Sequence, residues 1–221
     1  MKVHGSAPVM GIVLTLSLFT SGAGSSSQGG AASRLLIPVA DAESMLALYA
    51  ARGRVQIGLE KLPGSAEPGL PREVPPLDLT GVAAVEGVRR ILSIDPRYVS
   101  RDVKGILNVR PKASAGRPSE LLDRIVTRLT LKGQSATVLM DRLPPIFGLA
   151  PPDVPRPAKG KLVTLDLQGV TLRTVLNEIC RAEGTLSWTF RAQPAQDGVA
   201  GLTLELKSFD GWSSGISLRV K

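Results

Sequence analysis

Three stretches of this 221-residue chain repeat one pattern, and that repetition constrains the fold more than any other feature of the sequence. They are residues 77–95 (LDLTGVAAVEGVRRILSID), 129–148 (LTLKGQSATVLMDRLPPIFG) and 165–184 (LDLQGVTLRTVLNEICRAEG). Superposed, Leu77, Leu129 and Leu165 coincide, then Leu79, Leu131 and Leu167, then Gly81, Gly133 and Gly169. The same register aligns Val88, Met140 and Leu176, and after them Ile91, Leu143 and Ile179. Leu-x-Leu puts both leucines on one face of a strand, because side chains alternate with a period of two. Past the glycine the spacing becomes helical: Leu172, Val175, Leu176, Ile179 and Cys180 form one continuous stripe. Thr171 is placed to cap that helix, and Gly184 to end it in a left-handed conformation. In the middle copy, Pro144 and Pro145 predict a helix that stops near Asp141 or Arg142.

One strand and one helix cannot bury both apolar faces alone, so the copies must pack together. A fourth, weaker copy begins at Leu35: an extended apolar run to Val39, a helix capped by Asp41 and ended by Gly53, and an alternating strand over 54–60. Pairing the copies predicts an α+β fold of two tandem modules, 33–111 and 118–207, each with two helices packed on short sheets. A linker falls at 112–117, and a Pro-rich insert at 150–161 shortens or removes a strand expected there. Residues 208–221 form a C-terminal tail or an added edge strand.

Residues 1–32 read as a signal peptide and flexible junction. Lys2 and His4 precede an apolar run over 8–20, and small residues follow. Thirteen residues rise about 20 Å as a helix, short of the ~30 Å hydrocarbon core. The reading is therefore a cleaved leader, cut after Ala23 or near Ala32, and a mature chain in the periplasm or outside the cell, with no integral membrane span.

The chain has one histidine, His4, and one cysteine, Cys180. Zinc fingers, Cys or His metal clusters, Ser-His-Asp triads, Cys-His dyads and intramolecular disulfides all need residues it lacks. No metal, cofactor or catalytic residue is predicted. A hydrolase would have only carboxylates and lysines to work with, and the closest carboxylate pairs, Glu178 with Glu183 and Glu120 with Asp123, read as surface or helix charges. Cys180 reads as a small apolar residue on a buried helix face.

The copies resemble the secretin and TonB short N-terminal domain, a small periplasmic module at the front of secretin pores and signal-transducing TonB-dependent receptors. The best matches are 35–62 (LLIPVADAESMLALYAARGRVQIGLEKL), 77–92 and 165–190. The resemblance implies two helices packed against small sheets, a place in the cell envelope at the outer membrane, and binding to other envelope proteins. It brings no catalytic residues, and no pore-forming region or receptor barrel follows Lys207 in this sequence.

Charge supplies the remaining candidates. The formal net charge is +8, and the segment 89–128 holds ten basic residues against four acidic ones. Arg97, Arg101 and Lys104, placed around a predicted turn between helix and strand, are the sharpest candidates for partner binding. Trp188 shares a strand face with Leu186 and Phe190 and reads as core. Trp212 is either an exposed anchor for a partner or a cover over the end of the second module. The resulting expectation is a non-enzymatic exported protein-interaction module, with a secretin-like, TonB-receptor-like or anti-sigma-like partner and no nucleic acid. The alternative is a binding module for anionic envelope polymers or lipid headgroups, whose attraction would weaken as salt rises.

Overall fold

The computed structural model describes residues 34–62, 75–112, 117–146, 157–196 and 199–220. The leader, most of the 112–117 linker and most of the Pro-rich insert lie outside the described residues; the insert's last described stretch, 157–161, carries no strand.

The first half contains β1 (Leu36–Ile37), α1 (Ala42–Gly53), β2 (Ile57–Lys61), β3 (Leu77–Asp78), α2 (Ala84–Leu92), β4 (Tyr98–Val103) and β5 (Ile106–Pro111). The second contains α3 (Arg117–Leu122), β6 (Ile125–Ser135), α4 (Ala136–Ile146), β7 (Leu162–Thr171), α5 (Leu172–Glu183), β8 (Leu186–Gln196), β9 (Val199–Ser208) and β10 (Ser213–Val220). The fold is mixed α+β.

The repeat is visible in the backbone. Gly81, Gly133 and Gly169 have φ of +69°, +57° and +63°, and each lies three residues before the first residue of its helix. A Cβ at any of them would meet nothing within 4 Å, so the left-handed backbone selects glycine and space does not. The aligned helix residues Val88, Met140 and Leu176, and Ile91, Leu143 and Ile179, are all fully buried. The caps follow the sequence as well: Asp41 Oδ1 accepts from Ser44 N at 2.9 Å, and Thr171 Oγ1 from Thr174 N at 3.2 Å. Gly184 ends α5 at φ +87°.

Two local expectations are corrected. Helix α1 keeps Gly53 inside it and ends on Arg54, which takes the left-handed conformation at φ +51°. The space at 53 is tight, since a Cβ there would stand 3.2 Å from the Tyr49 ring and 3.3 Å from Leu35. Helix α4 runs through Pro144 and Pro145 to Ile146 instead of stopping near Asp141. The prolines fall in its last turn, where they remove the bonds to the carbonyls of Met140 and Asp141 but leave no later turn to disrupt, and burial of Leu143 and Pro144 holds that turn against the core.

β1 pairs with β3 and β6 with β7, each antiparallel, so the strands that lead into helices form a two-stranded sheet in each half. The remaining strands form one six-stranded sheet in the order β10-β9-β8-β2-β5-β4. β2 runs parallel to both β8 and β5, and the other neighbours are antiparallel. Each half thus contributes three strands, and the sheet is continuous across the boundary read at 112–117. Residues 33–221 form one compact unit.

β2 and β8 each follow a helix of their own half and lie side by side in parallel. Rotating one half onto the other about an axis along these strands reverses the face of the sheet. The cores obey this: on β5, Leu107 and Val109 belong to the first core with α1 and α2, while Ile106 belongs to the second core with α4 and α5. On β2, Ile57 and Leu59 face the first core, and Gly58 and Glu60 turn to the second. Gly58 is the register partner of Trp188, whose indole lies where a side chain would start: a Cβ at 58 would be 2.4 Å from it. Gln56 Nε2 donates to Cys180 O and Leu186 O, Ile57 N donates to Ser187 Oγ at 2.9 Å, and Arg173 on α5 binds Glu60 at 2.9 Å as well as Asp123.

Gly58→Val forces the buried indole aside and should cost about 2 kcal/mol or more, read as a lower urea midpoint for the whole chain. Leu176→Asp buries an unpaired carboxylate at a fully enclosed site and should abolish cooperative unfolding, whereas Arg97→Ala, an exposed change, should leave the fold intact. A Leu176→Asp variant that melts like the parent contradicts the placement of α5.

Candidate functional site

The β4–β5 hairpin closes one end of the large sheet. Its turn is Lys104-Gly105, with φ of +55° and +87°, the pair of positive values that a two-residue hairpin turn demands. Asp102 Oδ1 accepts from Gly105 N at 2.8 Å and fixes the turn. Among the described residues no strand pairs with the outer edge of β4, nor with that of β10 at the other end.

The two faces of the hairpin differ. Toward α1, Tyr98 is buried; its hydroxyl donates to Glu43 Oε1 at 2.5 Å and accepts from Leu62 N at 3.1 Å. Lys61 Nζ completes the cluster, 3.2 Å from Glu43 Oε2. Burial, and then the Glu43 carboxylate, hold the Tyr98 hydroxyl well above its ordinary range. On the opposite face lie Val99, Arg101 and Val103 from β4 with Ile106, Asn108 and Arg110 from β5; Arg101 is in register with Asn108, and Arg110 with Val99. The two arginines are exposed and the two valines half-buried. Asn108 is buried, with its Nδ2 donating to Ile106 O at 3.2 Å and its Oδ1 without a donor.

Of the predicted basic candidates, Arg97 does sit between α2 and β4. One edge of its guanidinium, Nε and Nη2, donates to both carboxylate oxygens of Asp95, at 2.8 and 2.7 Å, which holds the Asp95 carboxyl below the usual carboxylate range. Lys104 occupies the hairpin turn, rather than a helix-to-strand turn, with Nζ 3.7 Å from Glu178 on α5. Arg101 points from the strand itself. Arg101 and Arg110 form no ion pair among the described residues. Elsewhere in the basic segment, Arg89 and Arg90 both grip Glu86, whose carboxyl is lowered to about 2 by those two hydrogen bonds. The segment therefore mixes acid-bound arginines with cations, Arg101, Arg110, Lys112 and Arg124, that form no ion pair among the described residues, and Arg101 and Arg110 stand together on one face at the sheet's end.

Trp212 is half-buried at the β9–β10 turn and packs on the second core, with its ring over Gly160, where a Cβ would stand 2.7 Å away. It covers the end of the second half, and 213–220 form the edge strand. With Phe209 and the alanines of α1, Trp212 also lines a cleft of about 280 Å³. Trp188 is fully buried and donates from Nε1 to Asn177 Oδ1 at 2.8 Å.

Glu178 is held by Arg181 and Lys104, while Glu183 accepts from Thr185 N and Oγ1 at 2.8 and 2.7 Å. Asp123 is bound by Arg173. Among the described residues no three His, Cys, Asp or Glu side chains are grouped to hold a metal ion, and no helix is long and apolar enough to cross a membrane. Cys180 is buried, and burial pushes its thiol well up.

Sequence reasoning missed β4, and with it Arg110 and Asn108. The signal was present as alternation on both sides of Lys-Gly, VSRDV before it and ILNVR after it. No family model, curated protein or solved structure matches the chain.

Tyr98→Phe removes both the donor to buried Glu43 and the acceptor for Leu62 N, and should cost about 1–2 kcal/mol at neutral pH. A raised folded pKa means the Tyr98 contribution is complete below about pH 10 and fades above it; the variant's stability should accordingly fall less between neutral pH and pH 11 than the parent's. Cys180 should stay unreactive toward a disulfide reagent in the native chain and titrate fully once urea unfolds it; fast labelling of folded protein contradicts its placement.

Proposed function

We propose that this chain is a non-enzymatic, exported interaction module of the cell envelope, one that receives a partner polypeptide at the β4 end of its six-stranded sheet. The observation that carries the reading is the β4 edge itself: among the described residues no strand pairs with it, and the face opposite α2 presents exposed Arg101 and Arg110 with no ion pair. Main-chain groups along such an edge accept an added strand, while side-chain pockets and charges decide which strand is accepted. Export rests on the apolar leader at 8–20. Kinship with the secretin and TonB short domain is supported by the duplicated strand-glycine-helix unit, and by the two-stranded sheet whose strands each lead into a helix in either half.

Binding to anionic polymers or headgroups draws on the same cations. It is less favoured because Arg89, Arg90 and Arg97 are already bound by acids two to four residues away, and Arg101 and Arg110 form a short row beside an open strand edge.

A photo-crosslinking residue at exposed Ser100 of β4, which leaves Arg101 in place, should give discrete protein adducts in an envelope fraction, and the same residue at exposed Lys132 should not. Equal yields from both positions, or none from 100, would contradict the proposal. N-terminal sequencing of the exported chain should begin near residue 24 or 33.

A further inference from the structure

We infer that the segment received by β4 is an acidic extended peptide of the pattern apolar-polar-acidic-polar-apolar, with its acid paired to Arg101 and Arg110. The inference rests on the open-edge reading above and adds the chemistry of the occupant. Along β4, Val99, Arg101 and Val103 stand at i, i+2 and i+4 on the face that α1 and α2 do not cover. A strand laid beside β4 places its own alternate side chains against these three, and directly opposed residues set the preference. An apolar residue therefore meets Val99, an acid meets Arg101, and a second apolar residue meets Val103. Arg110 stands one strand further in, diagonal to Arg101 on the same face and in register with Val99, and adds a second positive charge to the field that an acid opposite Arg101 meets.

The other face of the added strand meets Ser100 and Asp102, both exposed. Asp102 repels a second acid there, so the intervening positions are neutral and polar. The β10 end offers no comparable selectivity. Its side chains opposite the α4 face are Ser213, Gly215 and Ser217, followed by one charge, Arg219. An isolated charge on an edge strand also serves to block pairing between copies, and the experiment separates that role from this one.

The test uses the full chain and three labelled peptides in fluorescence anisotropy: one with a Val-Thr-Glu-Thr-Val core, one with Lys replacing Glu, and the Glu peptide methylated on its backbone nitrogens. The Glu peptide should bind, with affinity that falls as salt rises, and the Lys peptide should bind roughly tenfold more weakly or not at all. Arg101→Glu should reverse the preference between them. Near-ultraviolet circular dichroism of the variant, unchanged from the parent, shows that the fold is kept. Failure of the Glu peptide to bind, equal binding of the Glu and Lys peptides, or an Arg101→Glu variant with the parent's preference overturns the inference. Self-association of an Arg101→Thr variant without Glu-peptide binding to the parent assigns Arg101 to edge protection instead. If the methylated peptide binds as well as its parent, strand addition itself is wrong and the open-edge reading falls with it.

Discussion

The structure depends on a contact that only glycine permits. Gly58 lies in the middle of β2, and the Trp188 indole occupies the space its side chain would have filled. That approach lets β2 and β8 pair in parallel and welds two half-sheets into one. The joined sheet carries the helices of the two halves on opposite faces, with Leu107 and Val109 of β5 in the core of α1 and α2 and Ile106 in the core of α4 and α5. Glu60 and Gln56, which flank the glycine on the same face, are answered by Arg173 and by the carbonyls of Cys180 and Leu186. The polar atoms that β2 turns toward the second half thus find partners there, as buried polar groups must.

The welding decides where the ends of the sheet fall. Had the halves remained separate three-stranded sheets, four edges would be open. Joined, they leave β4 and β10. At β10, α4 packs beneath the strand and the opposite side chains are small. At β4, helix α2 covers one face only, and the other keeps a row of two valines and two arginines. Of the arginines that precede this row in the chain, Arg89, Arg90 and Arg97 are bound by acids two to four residues away.

Periodicity and turn chemistry carried much of the fold. The repeat's leucines and glycines specified where strands gave way to helices, and Asp41, Thr171 and Gly184 marked their ends, because caps and left-handed turns depend on residues adjacent in the chain. The pairing of β2 with β8 was not legible. It joins residues 130 positions apart, and its only local mark is a glycine within an alternating strand, which reads equally well as a bulge or a weak point. The site was partly legible. Arg97, Arg101 and Lys104 stood out by charge, but which of them are neutralised depends on Asp95 and Glu178, and Arg110 joins Arg101 only through the hairpin register. α4 shows the converse, where burial of Leu143 overrode a helix-stopping signal read from two prolines.

Native-state hydrogen exchange, followed residue by residue as denaturant is raised, tests the shared sheet most directly. If the halves are one body, the inward amides of β2 and β8 open together at the free energy of global unfolding, and the amides of β4 exchange earlier, as an open edge should. Separate opening of the two halves, with β2 and β8 protected to different free energies, would contradict the account.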